Sequence, residues 1–268
     1  MSTGERDDLG TNGLRFERDG PIGWCTIDRP AARNAFTPAM YYGIRRAVHL
    51  VNDDADLAAL IITGTGDVFA PGGDLGGRTD DREDPLPPGL GNDILPFIPV
   101  RDSPAPVIAA VNGICQGGGL LIAMLSDVAV CSERATFRAP ELLRGITDAT
   151  YAAALPAHVG IALARDMLLT GRTLDADEAV RHGLISRVVP HDELRIEART
   201  AAMQVLHTGP ESRVNVKRMI NERYGLIDYQ TMFWTLGHSA EPREGMTAFM
   251  EKRKPSWVPD DPDGRGPA

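Results

Sequence analysis

Two unbroken apolar runs, residues 57–63 (LAALIIT) and 107–111 (VIAAV), constrain this chain more than any other feature. A strand that is apolar at every position offers apolar side chains to both faces of its sheet, so helices must cover the sheet on each side. The neighbouring segments supply that alternation. Residues 14–16 and 22–27 read as strands joined by a tight turn at Asp19-Gly20. Thr37-Pro38 reads as an N-cap followed by proline in the first helical turn, opening a helix to about Val51 that stops at Asn52-Asp53-Asp54. Residues 112–119 form a glycine-rich turn, 120–125 a helix and 128–131 a short strand; from about Tyr151 helices dominate, best at 152–155, 165–169, 176–181 and 194–206. The class is α/β. The expected organisation is a flexible tail over residues 1–13, a core over 14–200 and a helical C-terminal region over 201–268. A long loop follows Gly64, and its middle part from Thr79, TDDREDPLPPG, has the composition of a mobile surface segment bordering a site.

At 268 residues the chain suits one main core. A net charge of −9 argues against nucleic acid and anionic membrane as general partners, since both call for a basic surface. An anionic ligand would need a local basic patch. The first 13 residues, MSTGERDDLGTNG, carry neither a secretory signal nor a presequence, so the expected compartment is the cytoplasm. The apolar window 107–125 is interrupted by Asn112, Gln116 and four glycines and does not read as a membrane span. Cys25, Cys115 and Cys131 are far apart and match neither a disulfide framework nor metal-ligand spacing; no metal and no permanently bound cofactor is expected. They read as small buried hydrophobes. The six histidines are scattered and read as structural or surface residues.

Two glycine loops carry the candidate chemistry. Phe69-Ala70-Pro71-Gly72-Gly73-Asp74-Leu75 follows one buried strand, and Asn112-Gly113-Ile114-Cys115-Gln116-Gly117-Gly118-Gly119 joins another to an apolar helix. Glycine permits close backbone approach to a ligand, and free N–H groups at a helix start favour negative charge. Neither loop has the phosphate-binding G-x-x-x-x-G-K-[ST] pattern or completes G-x-G-x-x-G, and no G-x-S-x-G nucleophile elbow is present. Together the loops suggest an oxyanion hole.

Five segments occur in one order: IDRPAARNAF (27–36), FAPGGDL (69–75), PVIAAVNGICQGGG (106–119), APELLRG (139–145) and EGMTAFMEKRKP (244–255). On these the chain resembles the enoyl-CoA hydratase/isomerase, or crotonase, family over residues 14–255. The resemblance implies a spiral of ββα units with a C-terminal helical trimerisation region, and an acyl-CoA substrate with coenzyme A entering as part of it. It implies that the N–H groups of Gly73 and Gly118 bind the thioester oxygen, where enolate charge develops. It assigns the adenosine part of CoA to backbone around Ala31, Ala32 and Arg33 with Asp74 and Leu75, and further contacts to Phe249 and Lys252, across a subunit boundary in a homotrimer or a pair of trimers. Two of only three lysines, Lys252 and Lys254, lie in that last segment. A basic cluster in an acidic chain suits a CoA phosphate.

The match departs from the hydratase pattern in two places. Hydratases of the family use two glutamates; Glu141 matches the second, but Leu121 stands in place of the first and can hold no proton. After Gly145 the chain reads GITDATYAAALPAHVG, which brings Asp148 into the active-site turn, where it is either a functional carboxylate or the N-cap of the following helix. The expected activity is that of an acyl-CoA enzyme moving protons with Glu141, by double-bond isomerisation or by hydration. A hydrolase for a ring-bearing acyl-CoA and a CoA-binding relative without catalysis are the alternatives.

Overall fold

The structure is a computed structural model describing residues 7–77, 83, 84, 86, 95–224 and 227–258. Most of the expected mobile segment from Thr79 lies outside these residues, as do the first six residues of the expected tail. The hairpin forms as expected: β1 (Leu14–Asp19) and β2 (Ile22–Ile27) pair antiparallel, with Asp19 opposite Ile22. Gly20 takes φ 57°, a conformation that favours glycine. Helix α1 (Pro38–Asp53) is capped by Thr37, whose hydroxyl accepts the Met40 N–H.

From here the chain repeats one unit. A long strand joins a large sheet, a three-residue strand crosses to a second sheet, and a helix returns. The units are β3 (Ala59–Gly64), β4 (Val68–Ala70) and α2 (Phe97–Asp102); β5 (Val107–Val111), β6 (Ile114–Gln116) and α3 (Gly118–Leu125); and β7 (Val128–Ser132), β8 (Thr136–Arg138) and α4 (Ala149–Thr170). After them come β9 (Leu174–Asp175), α5 (Ala176–Arg181) and β10 (Arg187–Val189). The large sheet has the order β1-β2-β3-β5-β7-β10 and the small one β4-β6-β8-β9. The small-sheet strands were not read from the sequence: three residues are too few to show a period, and β6 lies inside what reads as a turn. The result is a spiral of ββα units, as the resemblance implies.

Both faces of the large sheet are buried, as the apolar runs require. On one face Leu60, Ile62, Ala109 and Val111 meet Ile44 and Val48 of α1. On the other, Trp24, Ile61, Ile108 and Val130 meet Leu194, Ala198, Ala201 and Ala202 of α6 (Leu194–Leu206). Burying each large side chain contributes about 1.5–3 kcal/mol. Because α6 continues through the expected boundary at residue 200, with Ala201 and Ala202 in the core, the core ends nearer Leu206. At the other end, residues 7–13 of the expected tail are anchored. Leu9 is 3% exposed, and Asp7 pairs with Arg18 at 2.8 Å. The three cysteines are buried.

Among the described residues the C-terminal region continues with α7 (Pro210–Asn221), α8 (Tyr229–His238) and α9 (Glu241–Met250). Among the described residues one helix, α4, has the length and hydropathy of a membrane span. It is broken at Gly160 (φ 76°, ψ 160°) and seats Tyr151, Leu155, Ala164 and Met167 in the core.

Candidate active site

The spiral brings the two glycine loops into contact, because β4 and β6 are neighbours in the small sheet. A Cβ on Gly72 (φ 101°) would lie 3.5 Å from Gly117 Cα and 3.7 Å from Gly118 N. Buried asparagines hold the approach from behind. Asn34 donates to Thr65 O and Val68 O, while Asn112 accepts from Gly64 N–H at 3.0 Å and donates to Gly66 O at 2.8 Å. Gly113 has no room for a side chain, since a Cβ there would fall on the Asp67 carbonyl.

The orientation of the two candidate donors follows from their local bonds. Phe36 N–H donates to Gly72 O at 2.9 Å and Asp74 N–H to Phe36 O at 2.8 Å, which turns the intervening Gly73 N–H to the opposite side. Gly118 is the first residue of α3, where an N–H has no intrahelical acceptor. Neither N–H meets an acceptor among the described residues. Gly117, at φ 54° and ψ −130°, makes the turn before the helix, and its carbonyl accepts the Tyr151 hydroxyl at 2.7 Å.

Glu141 stands over this turn. Its Oε1 lies 3.0 Å from the place a Cβ would occupy on Gly117, and its Oε2 is buried without a hydrogen-bond partner among the described residues. Burial, then the nearby Asp148 charge, push its carboxyl up to about 7, while Arg144 pulls the other way. A carboxyl poised there exchanges protons readily near neutral pH. The 3-10 turn Leu142–Arg144 that follows is gripped by α9: a Cβ on Gly145 would strike Glu241, and one on Gly245 would strike the Arg144 carbonyl.

Asp148 is the N-cap of α4, accepting the Tyr151 N–H at 2.9 Å. Burial raises its carboxyl, against the Tyr151 and Thr150 N–H groups that lower it. It also forms part of the wall of a cavity of about 580 Å³ with His49, Phe97, Pro99, Tyr229 and Met232; neither Glu141 nor the paired glycines line that cavity. Its charge acts on Glu141, so capping and a position near the site coexist.

The other expected site residues are distributed as follows. Leu121 is 2% exposed and belongs to the core, one turn into α3. Ala31 and Ala32 end a 3-10 turn, after which Arg33 (φ 51°) and Asn34 (φ 62°) are both left-handed. The Asp74 carboxylate accepts from Arg29 at 2.7 Å and from Gly76 N–H at 2.8 Å, which fixes the loop carrying Leu75. Phe249 lies under the Arg144 guanidinium, 4.7 Å from ring centre to Cζ, and Lys252 (φ 54°) follows just beyond α9.

Two residues at the site escaped the sequence reading, Tyr41 and Tyr151. Tyr41 lies on α1 at helical spacing from the buried Ile44 and Val48, so its ring reads as core. The only signal is a polar tip on an apolar stripe. Tyr151 follows Asp148 by three residues, and its ring is fully buried.

Comparison with known proteins agrees with this architecture. The sequence model of the family described as enoyl-CoA hydratase/isomerase matches residues 17–260. A Mycobacterium bovis protein named probable enoyl-CoA hydratase echA8 is 35% identical over 253 residues, covering 91% of this chain and 97% of that one. A carnitinyl-CoA dehydratase of Salmonella agona is 34% identical over 256 residues, with 91% and 97% covered. The crystal structure of an enoyl-CoA hydratase/isomerase from Pseudoalteromonas atlantica superposes with a TM-score of 0.78 at 30% identity, covering 92% of this chain and 100% of that one. A family model that matches nearly the whole chain, with relatives this similar over nine-tenths of it, shows that the chain belongs to the enoyl-CoA hydratase/isomerase family.

Proposed function

We propose that this protein moves a proton on an enoyl-CoA, with Glu141 as base and then acid and with Gly73 and Gly118 N–H holding the thioester oxygen. Glu141 takes a proton α or γ to the thioester, and the electron pair moves onto the oxygen between the two donors. The protonated Glu141 returns the proton to the other carbon, and the double bond shifts. Fixed N–H dipoles stabilise the enolate without reorganising, a contribution worth about 100- to 1,000-fold in rate per donor. The observation that carries this reading is the buried Glu141 carboxyl set against Gly117, next in the chain to Gly118, with its Oε2 and both N–H groups unpartnered among the described residues.

One carboxyl suffices for such a shift, which suits a site where Leu121 offers no second one from α3. Hydration is the second reading, favoured by the effect of the Asp148 charge on Glu141: two carboxyls in different environments can divide acid and base roles. Coenzyme A would lie along the backbone of Ala31, Ala32, Arg33, Asp74 and Leu75, with Phe249 and Lys252 closing its far side. Assembly as a trimer or a pair of trimers is part of this proposal, supported by exposed apolar residues on α7 and α8, among them Ile220 at 54% and Trp234 at 62%.

The deciding experiment incubates the protein with enoyl-CoA thioesters, crotonyl-CoA included, in deuterated water. Deuterium incorporation or double-bond movement, abolished in Glu141→Gln, is the expected result. Absence of exchange with every thioester that binds would overturn the catalytic reading in favour of a CoA-binding relative.

A further inference from the structure

The Tyr41 side chain reaches from α1 to the rim formed by the two glycine loops. A Cβ built on Gly118 would collide with its hydroxyl and would lie 2.9 Å from both Cε1 and Cζ; one built on Gly73 would lie 3.8 Å from the hydroxyl. The phenol oxygen therefore stands against both residues whose N–H groups are unpaired among the described residues. It can approach Gly118 so closely only because that position carries no side chain, while at Gly73 a Cβ would make no more than ordinary contact.

The ring is held in place. Phe36 packs against it with centroids 4.7 Å apart, and Phe97 meets it edge-on at 5.9 Å. Its hydroxyl donates to no acceptor among the described residues, in contrast to Tyr151, whose hydroxyl is committed to Gly117 O. Burial, reinforced by the negative charges of Glu141 and Asp148, raises the phenol, so it keeps its proton and remains a donor. A rigid ring with an uncommitted O–H at the mouth of two N–H donors is already ordered for an anionic oxygen, and loses little freedom on meeting one.

We infer that Tyr41 is a further catalytic residue, whose O–H supplies a third hydrogen bond to the thioester oxygen as it becomes an enolate. The inference rests on the function proposed above. It adds to that function a side-chain donor that substitution can remove, unlike the two backbone N–H groups. No bond forms or breaks at Tyr41 itself, which keeps its proton throughout.

The test uses acetoacetyl-CoA, a 3-oxoacyl thioester whose enolate absorbs in the near ultraviolet while the keto form does not. Tyr41→Phe keeps the ring and its packing. The enolate of the bound ligand is titrated against pH in the wild-type protein and in the variant, and affinity for the keto form is measured separately. A hydrogen bond to a charged group is worth about 10- to 100-fold, so the apparent pKa of the bound ligand should rise by about 1 to 2 pH units in Tyr41→Phe, with keto-form affinity little changed. An unchanged enolate titration in a variant that still binds would remove Tyr41 from the catalytic group and leave the function standing. Failure of the wild-type protein to bind the thioester would overturn both readings together.

Discussion

The Tyr151 hydroxyl donates to the Gly117 carbonyl at 2.7 Å, and Tyr151 N–H donates to the Asp148 carboxylate at 2.9 Å. One residue of α4 thus ties the glycine turn below Glu141 to the turn that carries Asp148. Tyr151→Phe removes this bond and leaves the Gly117 carbonyl with only the Leu121 N–H at 3.1 Å, which costs about 0.5–1.5 kcal/mol. Thermal or urea unfolding should show that loss. Turnover should fall as well, because the Gly118 N–H is aimed by the turn that Gly117 makes.

Glu141 gives a pH-dependent prediction with a definite sign. Its folded carboxyl titrates at about 7 against an ordinary 4.5, so between those values the folded state holds more protons than the unfolded one. Stability from this group therefore falls as pH rises from 4.5 towards 7 and does not return above it. Glu141→Gln removes the charge that burial penalises. It should be more stable than wild type at pH 8 by about 1–3 kcal/mol, yet not at pH 4, and inactive at both. Denaturant melts at the two pH values check this.

The activity profile should follow the same group. With Glu141 as base, kcat/KM should rise on an acid limb centred near 7. Asp148→Asn removes the neighbouring negative charge that helps raise Glu141, so the limb should move to lower pH. A limb that stays in place would show that another group governs the profile.

Asp148 also separates capping from chemistry. Asparagine caps a helix about as well as aspartate, whereas Asp148→Ala should cost about 0.5–2 kcal/mol of stability. If isomerisation needs Glu141 alone, Asp148→Asn keeps that activity and its melting temperature. Loss of crotonyl-CoA hydration in Asp148→Asn, with folding intact, would assign the second carboxyl of a hydratase to this residue.

The apolar residues left open on α7 and α8 predict association. Light scattering should give three or six times the mass of one chain. Placing charge at Ile220 and Trp234, which are exposed in the single chain, should lower that mass without lowering the stability of the subunit. A monomer at micromolar concentration would reject the trimer.

Much of this was legible in the chain. The apolar runs at 57–63 and 107–111 demanded a sheet covered on both sides, and Ile61 and Ile108 pack on α6 while Leu60 and Val111 face α1. The Asp19-Gly20 hairpin and the Thr37 cap were readable because each depends on a few neighbouring residues. Ordered motifs from Ile27 to Pro255 identified the family, since they preserve spacing across the whole spiral. The small sheet stayed hidden because three-residue strands carry no readable period, and their pairing is settled by partners far along the chain.

What the sequence alone determined was the α/β class, the covered sheet, the glycine turns and the residue types available for chemistry. All of these follow from local propensity and from the cost of exposing apolar surface. Only the tertiary structure decided which groups meet. Contact between Gly72 and Gly117 depends on β4 pairing with β6. The high pKa of Glu141 depends on burial beside Asp148, and the role of Tyr41 on a helix crossing that sets its hydroxyl against Gly118. Each is a relation between residues distant in the chain, and burial and electric field belong to that arrangement and not to any residue taken singly.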